Sequence, residues 1–372
     1  MAYQRLFEKQ DIGGTQVADS QSYEDVVKDK TETQFAQFDD EQRGLIGKVQ
    51  HALHINPALV PLIILVTAIA LFGMILGQRF FSAGTLTLIL QQVQIVGVLA
   101  AAQTLVILTA GIDLSVGAIA VLCTVIMGQF TFRYGLPAEL SLLIGLAFGG
   151  AIGAISGFLV SRVKIPPFIV TLGMWQVVLA STYLFSRNET LRSSDLRADA
   201  PALLFLGNKI QIGGANFTFG VILMILIFVA LAYALRATAW GRHVYAVGDD
   251  PEAAQLAGVN VHKTLMSVYI MAGLICAVAA WVMIGRFSSV SPSASTGVIG
   301  NIQSITAVVI GGISLFGGRG SIFGAFFGAL IVGVFEMGLR MAGADPQWTF
   351  LLIGMLIIGA VALDQWIRKV SS

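Results

Sequence analysis

Long apolar segments, separated by short polar or glycine-rich stretches, follow one another from residue 58 to the end of the chain. At about 20 residues each, they are long enough to cross the hydrocarbon of a bilayer. Because lipid offers no hydrogen-bond partners, the backbone of such segments must be helical. We therefore predict an all-α, polytopic membrane helix bundle with about ten transmembrane helices, some of them broken or re-entrant. The predicted spans are 58–77, 85–109, 114–132, 138–161, 167–186, 216–236, 265–285, 300–316, 321–340 and 347–367.

The composition agrees with a membrane environment. Hydrophobic residues make up 56% of the 372 residues and charged residues only 12%, whereas soluble domains carry about 25% charged residues. The first 57 residues differ, because they hold ten acidic and six basic residues and lack an apolar run of signal-peptide length. We predict that residues 1–57 form a polar, disordered tail and that residues 58–369 form the transmembrane domain.

The distribution of basic residues predicts the orientation of the bundle. An even number of spans places both chain ends on one side, and the positive-inside rule favours the cytoplasm. Arg43 and Lys48 precede the first span, and Arg368 and Lys369 follow the last. The loop 237–264 would then also be cytoplasmic. We expect a multi-pass protein of the bacterial inner membrane with both termini inside the cell.

Several function classes are disfavoured by the sequence. The net charge of +1 and the absence of a basic cluster argue against nucleic-acid binding. Cys123 and Cys276 lie within apolar segments, as expected of buried thiols, and we expect no metal site. No phosphate-binding GxxxxGK[ST] motif occurs. We therefore expect no cofactor in this chain, and any ATP used must be bound by a partner.

The stretch AGIDLSVGA, residues 110–118, interrupts an apolar segment with a carboxylate. Gly111 is suited to end one helix, and Asp113 or Ser115 to cap the next by accepting its free amide protons. Two interpretations remain open. Asp113 is a helix cap at an interface, or it faces a polar pathway through the membrane, where ionisable groups are usually functional.

Other polar residues in the spans are chemically suited to a pathway for a hydroxyl-rich solute. Gln91, Gln94 and, less well, Gln103 share a helical face, and each of the remaining candidates could instead serve packing or the membrane interface. A second interruption, GGISLFGGRGS at 311–321, resembles the first, and paired discontinuous segments are typical of transporters. The candidate pathway residues are Gln91, Gln94, Gln103, Asp113, Ser115, Trp175, Asn301 and Gln303.

The polar loop GRHVYAVGDDPEAAQLAGVNVHKT, residues 241–264, predicts a two-turn helix from Pro251 to Ala257. Asp250 is a good N-cap, Pro251 suits the first helical position, and Gly258 suits the residue after the last turn. A short capped helix between two spans presents a surface that could insert into a cleft on another protein. A simple loop helix is the alternative.

Three stretches together resemble one family. AGIDLSVGA, the loop GRHVYAVGDDPEAAQLAGVNV and AVVIGGISLFGGRGSIFGAFFGAL are similar to signatures of bacterial ABC importer permeases for monosaccharides, related to branched-chain amino-acid permeases. The resemblance covers about residues 58–369. It implies a permease homodimer, cytoplasmic ATPase subunits that bind ATP and magnesium, and a periplasmic sugar-binding protein. It also implies a coupling helix that seats in the ATPase, formed by Asp250, Pro251, Glu252, Ala253, Ala254, Gln255, Leu256 and Gly258.

Two other function classes are alternatives. A secondary transporter driven by an ion gradient would need intramembrane acids, for which Asp113 and Glu336 are the candidates. Glu336 and Arg340, four residues apart, are better explained as an ion pair at a helix end. An intramembrane enzyme would need a catalytic constellation at depth, and the spans contain no such group of residues. The sequence does not identify the sugar.

Overall fold

A computed structural model describes the backbone of residues 58–370, and the side chains of that range except those at 346, 360 and 363–370. The predicted tail 1–57 lies outside the described residues. The α-helices are, in chain order, α1 (Leu59–Leu76), α2 (Ala83–Leu108), α3 (Val116–Phe132), α4 (Ala138–Ser161), α5 (Pro167–Ser186), α6 (Ser193–Asp199), α7 (Phe219–Ala237), α8 (Ala239–Asp249), α9 (Pro251–Leu256), α10 (Val261–Phe287), α11 (Ala294–Ile310), α12 (Ile322–Met341) and α13 (Pro346–Val370).

The predicted helical membrane bundle is confirmed. Within residues 58–370, seven helices are long and apolar enough to cross a membrane, and three shorter apolar helices occupy the other predicted spans. The expected span 300–316 is displaced, because α11 begins at Ala294 and ends at Ile310. Ser293 starts it early by accepting the Thr296 amide at 3.4 Å, and the Gly311–Gly312 pair follows its last residue. With 17 residues, α11 is about 26 Å long.

The polar interval between α5 and α7 contains more structure than the sequence predicted. It holds α6, a 3₁₀-helix (Pro201–Gly207) and an antiparallel hairpin of β1 (Lys209–Ile212) and β2 (Ala215–Thr218). Gly213 and Gly214 form the turn with φ of 59° and 81°, which is the backbone of a type I′ hairpin. The predicted span 216–236 therefore starts only at Phe219, since the preceding residues belong to β2.

The centre of the bundle consists of α2 and α10, which are buried along most of their length. Helix α10 packs against α2, α3 and α4. The close approach to α4 depends on glycine, as the spacing of Gly149, Gly153 and Gly157 predicts: a Cβ on Gly149 would lie 2.8 Å from the Cβ of Ala277. Helices α1 and α5 expose large apolar side chains at the periphery, as expected of surfaces that face lipid.

Candidate functional site

The first helix break follows α2, which ends at Leu108, and precedes α3, which begins at Val116. The connecting loop folds back along α2. With its side-chain amide oriented by the hydrogen-bond network, Gln103 donates to the Asp113 carbonyl at 3.0 Å and accepts from the Asp113 amide at 3.2 Å. Gln103 therefore replaces the backbone partners that Asp113 loses outside a helix.

The Asp113 carboxylate is buried, at 3% exposure. Its Oδ1 accepts hydrogen bonds from the Ser115 amide at 2.7 Å and from the Ser115 hydroxyl at 2.6 Å. The expected cap is thus only partly right. Asp113 bonds to Ser115, which immediately precedes α3, and neither side chain accepts from the free amides of α3 itself. The carboxylate stabilises the loop.

Two further helices hold the same loop. Asn301 of α11 donates its Nδ2 proton to the Leu114 carbonyl at 2.8 Å, and Thr171 of α5 donates its hydroxyl to the Ile112 carbonyl at 3.0 Å. Trp175 lies one turn beyond Thr171 on α5 and is half-buried. The break is therefore fixed by α2, α5 and α11, and the structure brings Gln103, Asp113, Ser115 and Asn301 together there.

The other candidate pathway residues lie apart from this break. Gln94 accepts a hydrogen bond from the Thr218 hydroxyl at 2.6 Å, beside the β-hairpin. Gln91 is also buried on α2. Gln303 donates to the Glu336 carboxylate at 3.1 Å. The predicted ion pair between Glu336 and Arg340 is confirmed, with 2.9 Å between the Glu336 Oε1 and an Arg340 guanidinium nitrogen.

The predicted loop helix is present as α9, one residue shorter than expected. Asp250 Oδ1 accepts from the amides of Glu252 at 2.9 Å and Ala253 at 3.0 Å. Gly258 follows the helix with φ of 88°, a conformation that costs a residue with a side chain about 1–2 kcal/mol. Both caps that the sequence predicted therefore form.

One residue that the resemblance assigns to the coupling helix is not available at its surface. Ala254 is buried at 5% exposure and faces inward, whereas Leu256 is 91% exposed. The exposed residues of the helix also include Pro251, Glu252, Ala253 and Gln255. An isolated leucine at the tip of a polar loop has no partner among residues 58–370 that would remove it from water.

Helix α8 links α9 to the membrane bundle, and the sequence interpretation missed it. Thr238 caps α8 by accepting the Gly241 amide at 3.2 Å, and Trp240 donates its indole proton to the Ser267 hydroxyl of α10 at 2.8 Å. Tyr245 donates its hydroxyl to the Gly320 carbonyl at 2.9 Å. Burial raises the pKa of Tyr245 above its ordinary value, and the positive charge of Arg236 partly offsets this effect.

Three backbone segments meet at the end of α8, in a contact that we call the glycine junction: Leu108–Ala110, Gly248–Asp249 and Gly317–Gly318. The Gly318 amide donates to the Leu108 carbonyl at 3.0 Å. A Cβ on Gly248 would overlap that carbonyl oxygen and lie 2.7 Å from the Gly318 nitrogen. A Cβ on Gly317 would lie 2.7 Å from the Ala110 nitrogen. The junction therefore joins both helix breaks to α8.

The chain matches the model of a family described as the branched-chain amino acid transport system permease component over residues 85–361. The chain belongs to this family. It is 64% identical to the fructose import permease protein of Rhizobium meliloti over 353 residues, which cover 95% of this chain and 97% of that protein. The ribose import permease protein of Escherichia coli is 32% identical over 308 residues, which cover 82% and 92% of the two chains.

A third relative is the ribose import permease protein of Bacillus subtilis, which is 34% identical over 297 residues, 78% of this permease and 88% of that protein. No solved structure matches the permease. The resemblance drawn from the three sequence stretches is confirmed. The permease is a multi-pass protein of the inner membrane and a transport component.

Two features of the permease had signals that sequence reasoning overlooked. The Gly213–Gly214 pair between alternating polar and apolar residues is a strong hairpin signal. Thr238, followed by aromatic and valine side chains at Trp240, Val244 and Val247, indicates an amphipathic helix with a cap. The glycine junction had no such signal, because its three segments are far apart in the chain.

Proposed function

We propose that this permease is the transmembrane subunit of an ATP-driven importer for a monosaccharide. It would form the translocation pathway and couple to cytoplasmic ATPase subunits that bind ATP and magnesium. The observation that carries this proposal is α9, a short helix with both ends capped that presents an exposed leucine outside the membrane bundle.

The geometry of α9 suits a docking element. Burial of one leucine side chain contributes about 1.5–3 kcal/mol, so Leu256 offers a partner a substantial contact. The caps at Asp250 and Gly258 keep the helix formed before docking, which reduces the ordering cost of association. We infer that Leu256, Glu252, Ala253 and Gln255 contact the ATPase, whereas Ala254 anchors α9 to the permease.

The same geometry gives a route for the coupled motion. Helix α9 directly follows α8, and α8 contacts both helix breaks through the glycine junction and through Tyr245. Backbone atoms in van der Waals contact cannot be compressed, so a displacement of α9 reaches the break at Asp113 and the break at 311–321 together. Closure of the ATPase subunits around ATP would thus switch the bundle between outward- and inward-facing states.

The proposed cargo is a neutral, hydroxyl-rich solute. The names of the relatives state fructose or ribose import, and the similarity to the fructose permease covers nearly the whole chain. By the same reasoning we propose a permease homodimer, with one α9 for each ATPase subunit, and a periplasmic sugar-binding protein as donor. With the ATPase subunits on the cytoplasmic side, α9 and both chain termini would lie in the cytoplasm.

The test is sugar uptake by cells that contain the complete importer, together with recovery of the ATPase subunits bound to the purified permease. Leu256→Asp places a charge on the proposed contact without changing a buried group. We expect this variant to insert normally but to lose both ATPase recovery and ATP-dependent uptake. Ile212→Asp is the matched control, because Ile212 is also an exposed aliphatic residue, at 60% exposure, but belongs to the β-hairpin.

The result also separates the proposal from its main competitor. If Leu256→Asp transports normally and uptake follows the proton or sodium gradient, the importer is a secondary transporter and the proposal is wrong. Loss of ATPase recovery in Ile212→Asp to the same extent would show that the readout reports general damage. Retention of ATPase by the control and loss by Leu256→Asp supports coupling through α9.

A further inference from the structure

The Val106 carbonyl, in the last turn of α2, is saturated with hydrogen bonds. It accepts the Thr109 amide at 3.1 Å, the Thr109 hydroxyl at 2.9 Å and the Gly111 amide at 3.1 Å. A backbone carbonyl offers two lone pairs, so this oxygen has no capacity for another donor. The turn that ends α2 is therefore complete through its own hydrogen bonds and needs no donor from a neighbouring helix.

A buried tyrosine of α10 nevertheless presents its hydroxyl to this turn. Tyr269 is 1% exposed, and within residues 58–370 its hydroxyl has no hydrogen-bond partner. A Cβ on Gly111 would lie 3.1 Å from the hydroxyl oxygen and 3.3 Å from the Val106 carbonyl oxygen, so the hydroxyl faces the start of the loop between α2 and α3. Buried polar groups are almost always paired, because an unpaired group loses its bonds to water without replacement.

Close packing against α4 holds the Tyr269 side chain in this place. A Cβ on Gly153 would lie 2.9 Å from the Tyr269 carbonyl carbon, and a Cβ on Gly157 would lie 3.1 Å from the Tyr269 Cβ. The glycine face of α4 thus lets α10 approach closely. A phenylalanine would fill the same space without the cost of a buried hydroxyl, so packing alone does not account for the tyrosine.

The same loop contains an acceptor without a donor. Both hydrogen bonds to the Asp113 side chain, from the Ser115 amide and hydroxyl, reach Oδ1, and none of the residues that the structure describes donates to Oδ2. Asp113 is two residues beyond Gly111, which places their Cα atoms at most about 7 Å apart. The loop and α10 therefore bring an unused carboxylate oxygen and an unused hydroxyl donor near each other without joining them.

This loop is also where the proposed motion would arrive. Leu108–Ala110 directly precedes Gly111 and belongs to the glycine junction, which connects it to α8 and α9. A change between two states requires contacts that differ between the states. A hydrogen bond from Tyr269 to Asp113 would be such a contact, because a bond to a carboxylate is stronger than a bond between neutral groups.

We infer that Tyr269 is a positioning residue that stabilises one of the two states of the importer by donating its hydroxyl to the Asp113 carboxylate. The structure shows the other state, in which the hydroxyl and Oδ2 are not bonded. This inference rests on the proposed import function. It gives Asp113 a role in the transport cycle that requires no contact with the solute.

The test compares Tyr269→Phe with the wild type in the complete importer, once without nucleotide and once trapped with ATP and vanadate. Hydrogen exchange of the amides at 109–116 reports the order of the loop, and ATP-dependent uptake of D-fructose or D-ribose into proteoliposomes reports transport. We expect exchange to become about tenfold faster in one of the two states and to stay unchanged in the other, since a hydrogen bond to a charged group shifts an equilibrium by at least about tenfold. Uptake should fall while the ATPase subunits remain bound.

Two further variants make the result specific. Tyr233→Phe, which removes a hydroxyl from a side chain that is 70% exposed on α7, is the matched control and should change neither state. In an Asp113→Asn background, Tyr269→Phe should give a smaller factor, because the contact with a neutral amide is weaker. An equal factor in that background would show that the hydroxyl acts on another group and would overturn the inference.

The remaining outcomes separate this inference from the proposed function. Equal acceleration of exchange in both states would show that the hydroxyl is already bonded in the state described here, through a bound water for example, and would overturn the role of Tyr269. Unchanged exchange in both states with undiminished ATP-dependent uptake would also overturn it and would leave the proposed function intact. Absence of ATP-dependent uptake of both sugars by the wild type would overturn the proposed function as well.

Discussion

Replacement of Gly248 by alanine should uncouple ATP hydrolysis from sugar movement. Gly248 lies in the last turn of α8, where its missing side chain lets the Leu108 carbonyl and the Gly318 amide approach. The added methyl group would overlap the Leu108 oxygen, so α8 must move away from the end of α2. The exposed surface of α9 is untouched, and docking of the ATPase subunits should persist.

The free-energy cost of Gly248→Ala follows from the contacts at the glycine junction. Overpacking by one methyl group costs about 1–3 kcal/mol. Loss of the hydrogen bond between the Gly318 amide and the Leu108 carbonyl adds about 0.5–1.5 kcal/mol. The higher helix propensity of alanine compared with glycine offsets about 1 kcal/mol of this cost. A net penalty of about 2 kcal/mol, if it falls on the state that transmits the motion, slows transport about 30-fold.

The assay is the ratio of sugar imported to ATP hydrolysed by the purified importer in proteoliposomes. We expect ATPase activity to persist in Gly248→Ala while the ratio falls. Gly173→Ala is the matched control, because Gly173 is also within a helix but a Cβ there meets nothing within 4 Å. An unchanged ratio in Gly248→Ala, or an equal fall in Gly173→Ala, would refute the role of the glycine junction.

Three further predictions concern single residues. Asp113→Asn should retain most uptake, because the amide oxygen still accepts both Ser115 hydrogen bonds. Asp113→Leu should lower the thermal midpoint of unfolding, because it leaves the buried Ser115 donors without an acceptor at a cost of about 1–3 kcal/mol each. Equal loss of uptake in both variants would instead indicate that the charge of Asp113 is required. Gly258→Ala should cost about 1–2 kcal/mol locally because of its positive φ, visible as faster hydrogen exchange in α9 with an unchanged global midpoint. Gly153→Ala should lower the midpoint, since a Cβ there would lie 2.9 Å from the Tyr269 carbonyl carbon and separate α4 from α10; a midpoint equal to that of Gly173→Ala would contradict this packing argument.

Local chemistry explains what the sequence could predict. The limits of α4 and α5 match the predicted spans because Pro137 and Pro166 precede them and apolar runs fill them. The caps of α9 were also predictable, since Asp250, Pro251 and Gly258 each act on their immediate neighbours. Hydropathy alone predicts a start of α11 six residues too late, because the Ser293 cap begins the helix before the apolar run.

The remaining features depend on contacts between distant residues. Glu336 accepts a hydrogen bond from Gln92, 244 positions away, and the sequence indicates only the nearby ion pair to Arg340. The inward orientation of Ala254 depends on which face of α9 packs against the rest of the chain, which six residues cannot specify. The sequence likewise does not choose between a helix cap and a pathway residue for Asp113, because Gln103, Asn301 and Thr171 reach its loop from three different helices.

The glycine junction has a consequence for how such permeases diversify. Its contacts are made by backbone atoms, which every sequence shares, so the junction holds no information about the chemistry of the cargo. The candidate pathway residues Gln91 and Gln94 precede Leu108 by 17 and 14 residues, a separation of about 21–26 Å along α2. Substitutions of side chains along the pathway therefore leave the junction unchanged, whereas a side chain at Gly248, Gly317 or Gly318 would clash with backbone atoms whatever the cargo. A permease with this arrangement can change its solute specificity and keep the same glycine junction.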